Sequence, residues 1–499
     1  MSHKATQLLD QGVTLFQRHL SLAARDVLAQ CIEVAQQEAN LAVEIEGHLL
    51  SGVNWIHMKR PEMGLKHFEA AYQLVDVHGK YHAAYPNVLF DLALAHSLLG
   101  NVDEALTYAR KAWDIAGSEA ECTLKPEVAL LLGSLYIAQE SWEQAHEFSQ
   151  LALAEFERCD DRSGAAKALN NIGLIYVETA EYKKAFVSLH RALELKKELD
   201  DINASVYTLT ELGRLAYKQG DLAMAIRYGR MALQILWENV AHMDKAEVAR
   251  LCRLFGSVAA MTGDYQGASA NLQRASTYYA QLGLWREWSA ANSELQTLIH
   301  EGRRRNPARV HIEWQDNQML RYLTALLGLM DTMEGLYPEL RGKSELVTKY
   351  ALLLGEACGL GNEERQHLSN AARLADIGLT SSENGQNSSA PNHPLMSEKI
   401  LAMFSVSEEC RLAVRHHHEH VDGSGKPDGL RGQEIPLASR ILAVVDAYVT
   451  RATVGADGIR PGHAAAMEYL QQEADRRLDA RLVELFAQMH EVMEPAIGS

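Results

Sequence analysis

Apolar and small residues follow a helical period along most of this chain, and over its first half they do so in a repeating unit. A small residue at position i is followed by a second at i+12 and a third at i+19, giving Gly12/Ala24/Cys31, Gly52/Gly64/Ala71, Ala93/Ala105/Ala112, Gly133/Ala145/Ala152, Gly173/Ala185/Ala192, Gly213/Ala225/Ala232 and Gly256/Ala268/Ala275. The units start 40, 41, 40, 40, 40 and 43 residues apart. Turn residues fall between the first two small positions in several units, as in Leu99-Gly100-Asn101, Gln219-Gly220-Asp221 and Thr262-Gly263-Asp264. The spacing predicts one helical hairpin per unit, with the first small residue on helix A and the other two, seven apart, on one face of helix B. Large residues such as Phe68, Tyr136, Tyr176 and Leu189 fill the space beside them. A single hairpin cannot bury its apolar face, so neighbours must stack into a solenoid with a concave surface.

The pattern resembles the tetratricopeptide repeat family in its longer form, over about residues 5 to 283. The resemblance implies a protein or peptide bound in the concave groove, or self-association as a homodimer. Trp285 to Ile299 reads as one more amphipathic helix that caps the stack. The period is then lost at the basic, proline-ended stretch Glu301 to Pro307. The expected organisation is a solenoid over 1–300, a linker over 301–317 and a second domain over 318–499.

Composition narrows the partners. The 48 basic and 65 acidic side chains leave a net charge of −17, which argues against a broad nucleic-acid surface, because phosphate binding needs clustered Lys and Arg. The six cysteines are scattered without a CxxC pair and read as buried thiols of a reducing cytoplasm. No apolar stretch approaches the ~20 residues that span a bilayer, so no membrane role is expected.

Candidate chemistry lies in the second domain, which from about Trp314 again reads as helices. Ala375-Asp376-Ile377-Gly378, His393-Pro394, His416-His417-His418-Glu419-His420, Asp422-Gly423-Ser424-Gly425-Lys426-Pro427 and the apolar run Ser439 to Tyr448 with Asp446 follow in order. Imidazoles and carboxylates from separate helices can converge on a metal ion inside a bundle. The glycines after Asp422 permit a tight turn, and Pro436 marks a helix start.

This ordered set resembles the HD-GYP subgroup of the HD phosphohydrolase superfamily, bacterial enzymes that hydrolyse cyclic di-GMP at a site of two or three metals in a helical bundle. The stretch from His417 to Pro436 carries the resemblance most specifically. It implies an all-α fold and, as metal ligands, Asp376, His393, His417, His418 and Asp446. Arg460, before Pro461, is the matching candidate for substrate phosphate. His416 and His420 are expected to be solvent-facing helix residues.

Three family positions are lost. Ala375 replaces the histidine of the HD pair, Leu379 replaces a lysine expected at phosphate, and Lys343 stands where some members have a further histidine, its ammonium expected to repel a cation. Lys426 and Val449 also depart from the pattern, and Thr380 to Pro391 reads as a shortened loop. Two-metal hydrolysis needs both ions. Without Ala375's imidazole one site keeps mainly Asp376 and Asp446, whereas His393, His417, His418 and Asp376 suffice for one iron, manganese or zinc ion. Two functions stay open: a degenerate domain with absent or reduced phosphodiesterase activity that senses a ligand such as cyclic di-GMP or binds a protein, and an active metal-dependent phosphodiesterase regulated by the repeats.

Overall fold

A computed structural model describes residues 4–78, 84–116, 124–199, 201, 204–304, 315–336, 342–381, 392–404, 406–453 and 462–491. The fold is all-α, and no β-strand occurs among the described residues. Two compact units are present, one made of Met1–His78 with Leu326–Ser499 and the other of Gly79–Ala325.

The second unit holds five of the seven hairpins: α5 (Tyr85–Leu98) with α6 (Val102–Ala116), α7 (Lys125–Ala138) with α8 (Trp142–Arg158), α9 (Arg162–Glu178) with α10 (Tyr182–Glu198), α11 (Ser205–Lys218) with α12 (Leu222–Glu238), and α13 (Lys245–Thr262) with α14 (Tyr265–Gln281). The small residues that mark helix B are fully buried, among them Ala105, Ala145, Ala185, Ala225 and Ala268. Helix A approaches so closely that a Cβ on Gly173 would stand 2.6 Å from Leu189. The turn inside each hairpin needs one left-handed residue to close helix A. Gly100, Gly220 and Gly263 take it at φ 79°, 80° and 87°, and Glu140 and Ala180 take the same place at 58° and 61°.

Helix α15 (Trp285–Arg304) covers the last hairpin, with Leu298 packed against Ala259, Ala268 and Leu272. It continues helically through Glu301–Arg304, where the basic composition suggests a linker, because Arg is a good helix former. Most of the remaining linker lies outside the described residues. Helix α16 (Gln315–Leu336) follows.

The first unit contains hairpin α1 (Lys4–Gln17) with α2 (Ser21–Gln37), hairpin α3 (Leu41–His57) with α4 (Pro61–His78), and the C-terminal bundle. The bundle comprises α17 (Lys343–Ala357), α18 (Asn362–Leu374), α19 (His393–Met403), α20 (Glu408–Arg415), α21 (Leu437–Thr453), α22 (Gly462–Glu473) and α23 (Ala480–His490). This division differs from a solenoid ending at residue 300, because the start of α2 is bonded into the bundle. Leu22 N donates to Tyr350 Oη at 2.9 Å, Lys349 Nζ to Ser21 Oγ at 2.6 Å, and His463 N to Asp26 Oδ2 at 2.6 Å. Tyr350, Tyr448 and Phe486 are fully buried at the bundle's centre.

Not every cysteine is a buried thiol. Cys31, Cys252 and Cys410 are buried, but Cys159, which ends α8, is exposed, and Cys358 is half-buried. Cys122 lies outside the described residues.

Candidate metal centre

Four of the five candidate ligands sit at helix ends, where the backbone leaves its regular path and side chains can turn inward, whereas Asp446 lies within α21. His393 is the first residue of α19, His417 and His418 lie in the turn after α20, and Asp376 lies in the break between α18 and the 3-10 turn Ile377–Ser381. That break is clamped to α19. Ser397 Oγ donates to Ala375 O at 2.7 Å and accepts from Gly378 N at 2.8 Å. Any side chain at Gly378 would meet His393 O at 2.3 Å, so glycine lets the two ligand-bearing segments touch. On the other side, Ser439 Oγ of α21 donates to Ala413 O at 3.1 Å and fixes the end of α20.

One ring nitrogen from each of His393, His417 and His418 falls within 4.8 Å of the others. His393 Nε2 is 3.3 Å from His417 Nε2 and 3.2 Å from Asp376 Oδ1, and His417 Nε2 is 4.0 Å from the same carboxylate oxygen. Val414 O lies 2.6 Å from His417 Nδ1 and must accept its proton, which leaves Nε2 with a bare lone pair aimed at the cluster. Burial and the neighbouring His393 push the His417 imidazole down to about 4, and burial with His417 and His393 holds His418 well below its ordinary range. Neutral imidazoles are the form that binds metal. Burial raises the Asp376 carboxyl, but Lys343 and His393 outweigh it and hold the group well below the usual range. Three imidazoles and one carboxylate fit one divalent ion.

The far side of Asp376 fits no second ion. Lys343 Nζ lies 3.0 Å from Asp376 Oδ2 and 2.7 Å from Asp446 Oδ1, with its side chain 11% exposed. Asp446 is therefore brought near the cluster but is paired with an ammonium. Ala375 supplies no ligand, and Leu379 is buried at 1% exposure. Arg460 lies outside the described residues.

His416 departs from its expected solvent-facing place. It lies beyond the end of α20, is 7% exposed, and sits 2.9 Å from Asp428 Oδ2, a carboxylate also held by Arg415. His420 is half-buried and bonded to Ser424 Oγ at 2.9 Å. Buried Glu419 accepts from the backbone N–H groups of Asp428, Gly429 and Leu430, so the motif from His417 onward folds back on itself.

Residues 329–482 match the HD domain family, and residues 48–118 and 126–198 match the tetratricopeptide repeat family. The chain carries tetratricopeptide repeats and an HD domain. It is 28% identical over 153 residues to the 3'3'-cGAMP-specific phosphodiesterase 3 of Vibrio cholerae serotype O1, covering 28% of this chain and 33% of that protein. It is 31% identical over 173 residues to a cyclic di-GMP phosphodiesterase response regulator of Xanthomonas campestris pv. campestris, covering 31% of this chain and 44% of that protein. The match thus spans a third to under half of the length of these relatives. A solved tetratricopeptide repeat protein from Parabacteroides merdae superposes with a TM-score of 0.41 at 13% identity, over 60% of this chain and 100% of that one.

Beside the histidine cluster the HD domain opens a cavity of about 400 Å³. His417, His418, Asp446, Thr450, Arg451 and Tyr469 are among the residues that line it. The Arg451 guanidinium stands 4.0 Å from the Tyr469 ring centroid. Motif reading passes over Arg451 and Tyr469, since they belong to no motif. The one signal in the sequence is that Arg451 follows Asp446 by five positions on the same helix.

Proposed function

We propose that this chain is a bacterial cytoplasmic signalling protein in which the repeats bind a protein or peptide and the HD domain takes a cyclic dinucleotide at a one-ion centre, with absent or reduced phosphodiesterase activity. The observation that carries this reading is the convergence of His393, His417, His418 and Asp376 beside a cavity, with no fourth imidazole at Ala375. Both phosphodiesterase relatives act, by their names, on cyclic dinucleotides. Iron, manganese or zinc in this centre would supply Lewis-acid polarisation to a phosphoryl oxygen. The chain's own residues do the rest: the imidazoles hold the ion, Arg451 neutralises phosphate charge at the cavity wall, and Tyr469 offers a face for a base to stack on.

The repeats support a binding role through a second cavity of about 710 Å³, lined by charged and aromatic side chains of α11 and α13 such as Tyr207, Arg214, Arg250 and Arg253. Among the described residues no helix is long and apolar enough to cross a membrane.

The test is calorimetric binding of cyclic di-GMP and 3'3'-cGAMP to manganese-loaded protein, beside a hydrolysis assay of the same sample. Binding with turnover at least about a hundredfold below that of an Ala375→His/Leu379→Lys/Lys343→His variant is expected. Robust turnover by the unaltered chain would select the second reading, an active phosphodiesterase, which the bare Nε2 of His417 favours. Binding of neither nucleotide would remove both.

A further inference from the structure

Two carboxylates buried side by side repel one another and need a cation between them. Asp376 divides its oxygens between two neighbours. Oδ1 faces the imidazoles, 3.2 Å from His393 Nε2. Oδ2 faces Lys343 Nζ at 3.0 Å, and the same ammonium reaches Asp446 Oδ1 at 2.7 Å. The side chains of Lys343, Asp376 and Asp446 are 11%, 14% and 19% exposed, so this triad is largely removed from water. Lys343 is also fixed in place, as the first residue of α17 directly after Gly342 at φ 75°. A divalent ion bridging two carboxylates would have to stand where this ammonium stands.

We infer that the Lys343 ammonium is a permanent, monovalent substitute for a second metal ion, so that the HD domain binds one divalent ion per chain and Asp446 serves as a partner of Lys343. Charge supports it. Asp376 and Asp446 carry two negative charges, Lys343 one positive, and a single divalent ion on the histidine side brings the cluster to one positive charge. A second divalent ion beside Lys343 would raise it to three in a poorly solvated place. The chemical consequence follows from what an ammonium lacks. It has no empty orbital to coordinate a water oxygen, so it neutralises the two carboxylates but cannot ready a hydroxide between two ions. The inference rests on the one-ion reading above and explains how binding outlasts hydrolysis.

The experiment is a manganese titration of metal-depleted full-length protein, with unbound Mn(II) read by its electron paramagnetic resonance signal, on the wild type, Lys343→Met and Lys343→Arg. One equivalent is expected for the wild type and for Lys343→Arg, which keeps the charge. Lys343→Met leaves two carboxylates facing each other. It should take up a second equivalent, and its metal-free Tm should fall by about 5 °C and recover only beyond the first equivalent. Should Lys343→Met be unfolded without metal, folding on addition of two equivalents is the same result. Two equivalents in the wild type would overturn the inference, as would a Lys343→Met protein with the wild type's stoichiometry and metal-free Tm. A wild type that binds none, with a Lys343→Met that binds one, would sink the one-ion centre while upholding the substitution.

Discussion

The two compact units use the same helical hairpin but bury their polar groups differently. In the unit spanning Gly79–Ala325, several half-buried charges form ion pairs separated by about the repeat length: Arg214 with Glu178, Lys218 with Glu178, and Arg253 with Glu294. In the other unit a buried ion-pair cluster, Lys343 with Asp376 and Asp446, is accompanied by many buried or half-buried histidines. His48, His57, His67, His417, His418, His420, His463 and His490 are all pushed below their ordinary pKa, mainly by burial. A regular stack can repeat one stabilising pair many times, because each repeat sees the same neighbour. A site needs different groups at one point, and here His393, His417, His418 and Asp376 come from helix ends, where no periodicity dictates the side chain.

The sharpest way to break the comparison is to disturb the joint at Gly378. A Cβ there meets His393 O at 2.3 Å and Ser397 N at 2.5 Å, all in regular or clamped backbone. Gly378→Val should cost at least about 3 kcal/mol through overpacking. The loss should fall on the unit with the HD domain, together with its metal affinity, and leave amide protection in α9 to α14 unchanged by hydrogen-exchange mass spectrometry. Equal loss of protection in both units would show that they do not unfold separately.

Acid should act on the units in different pH windows. His490, 8% exposed, is pushed down to about 4 by burial. Its folded pKa lies below the unfolded value near 6.5, so the unfolded state binds the extra proton between those values, and stability present above pH 6.5 is lost as pH falls towards 4. His490 alone accounts for on the order of 3 kcal/mol. Burial raises Glu178, but Arg214 and Lys218 outweigh it and bring it down to about 2. Its stabilisation is present above about 4.5 and is lost as pH falls towards 2. Stepwise acidification should therefore release protection in α17 to α23 near pH 5 and in α9 to α12 only below about pH 4. His490→Phe should move the first step to lower pH.

A smaller effect tests how the first hairpin belongs to the bundle. Asp26 Oδ2 accepts from His463 N, an otherwise unpaired amide at the start of α22, and so acts as a cap supplied by another helix. Helix α22 carries Tyr469 of the cavity beside the histidine cluster. Asp26→Ala should cost about 1 kcal/mol and fray the first turn of α22. Unchanged exchange of the α22 amides would show that the contact contributes nothing.

The repeats were legible because their constraint is steric: where a Cβ on Gly52 would stand 2.3 Å from Phe68, only a small residue is tolerated, and the spacing of small residues records the packing directly. The convergence of His393, His417, His418 and Asp376 was legible through family order alone, since imidazoles 24 residues apart carry no sign of meeting. The role of Lys343 was not. Its charge alone suggests repulsion of a cation, but the two carboxylates it bridges lie 33 and 103 residues away, and only folding shows that it is their counter-ion. His416 was misjudged for a related reason, as its partner Asp428 arrives by a reversal of the chain that Glu419 enforces. The association of the first hairpin with the bundle depends on Asp26, Leu22 and Ser21, residues that look like any others in a repeat.

The left-handed turn residues give the finest comparison, because they occur in both units at one structural place. His19 and Lys59 in one unit, and Glu140 and Ala180 in the other, adopt φ between 58° and 62° where Gly100, Gly220 and Gly263 adopt 79° to 87°. A Cβ in this region is strained by roughly 1 kcal/mol, and glycine avoids the strain while adding freedom to the unfolded chain. At Ala180 the side chain is small, so its loss removes little else. Ala180→Gly should stabilise the repeat unit by a few tenths to about 1 kcal/mol. The gain should appear as slower exchange in α9 and α10, the two helices that this turn joins. If Ala180→Gly instead speeds their exchange, the entropy of the unfolded chain outweighs the strain, and the recurrence of non-glycine residues at this place is then favourable to the solenoid.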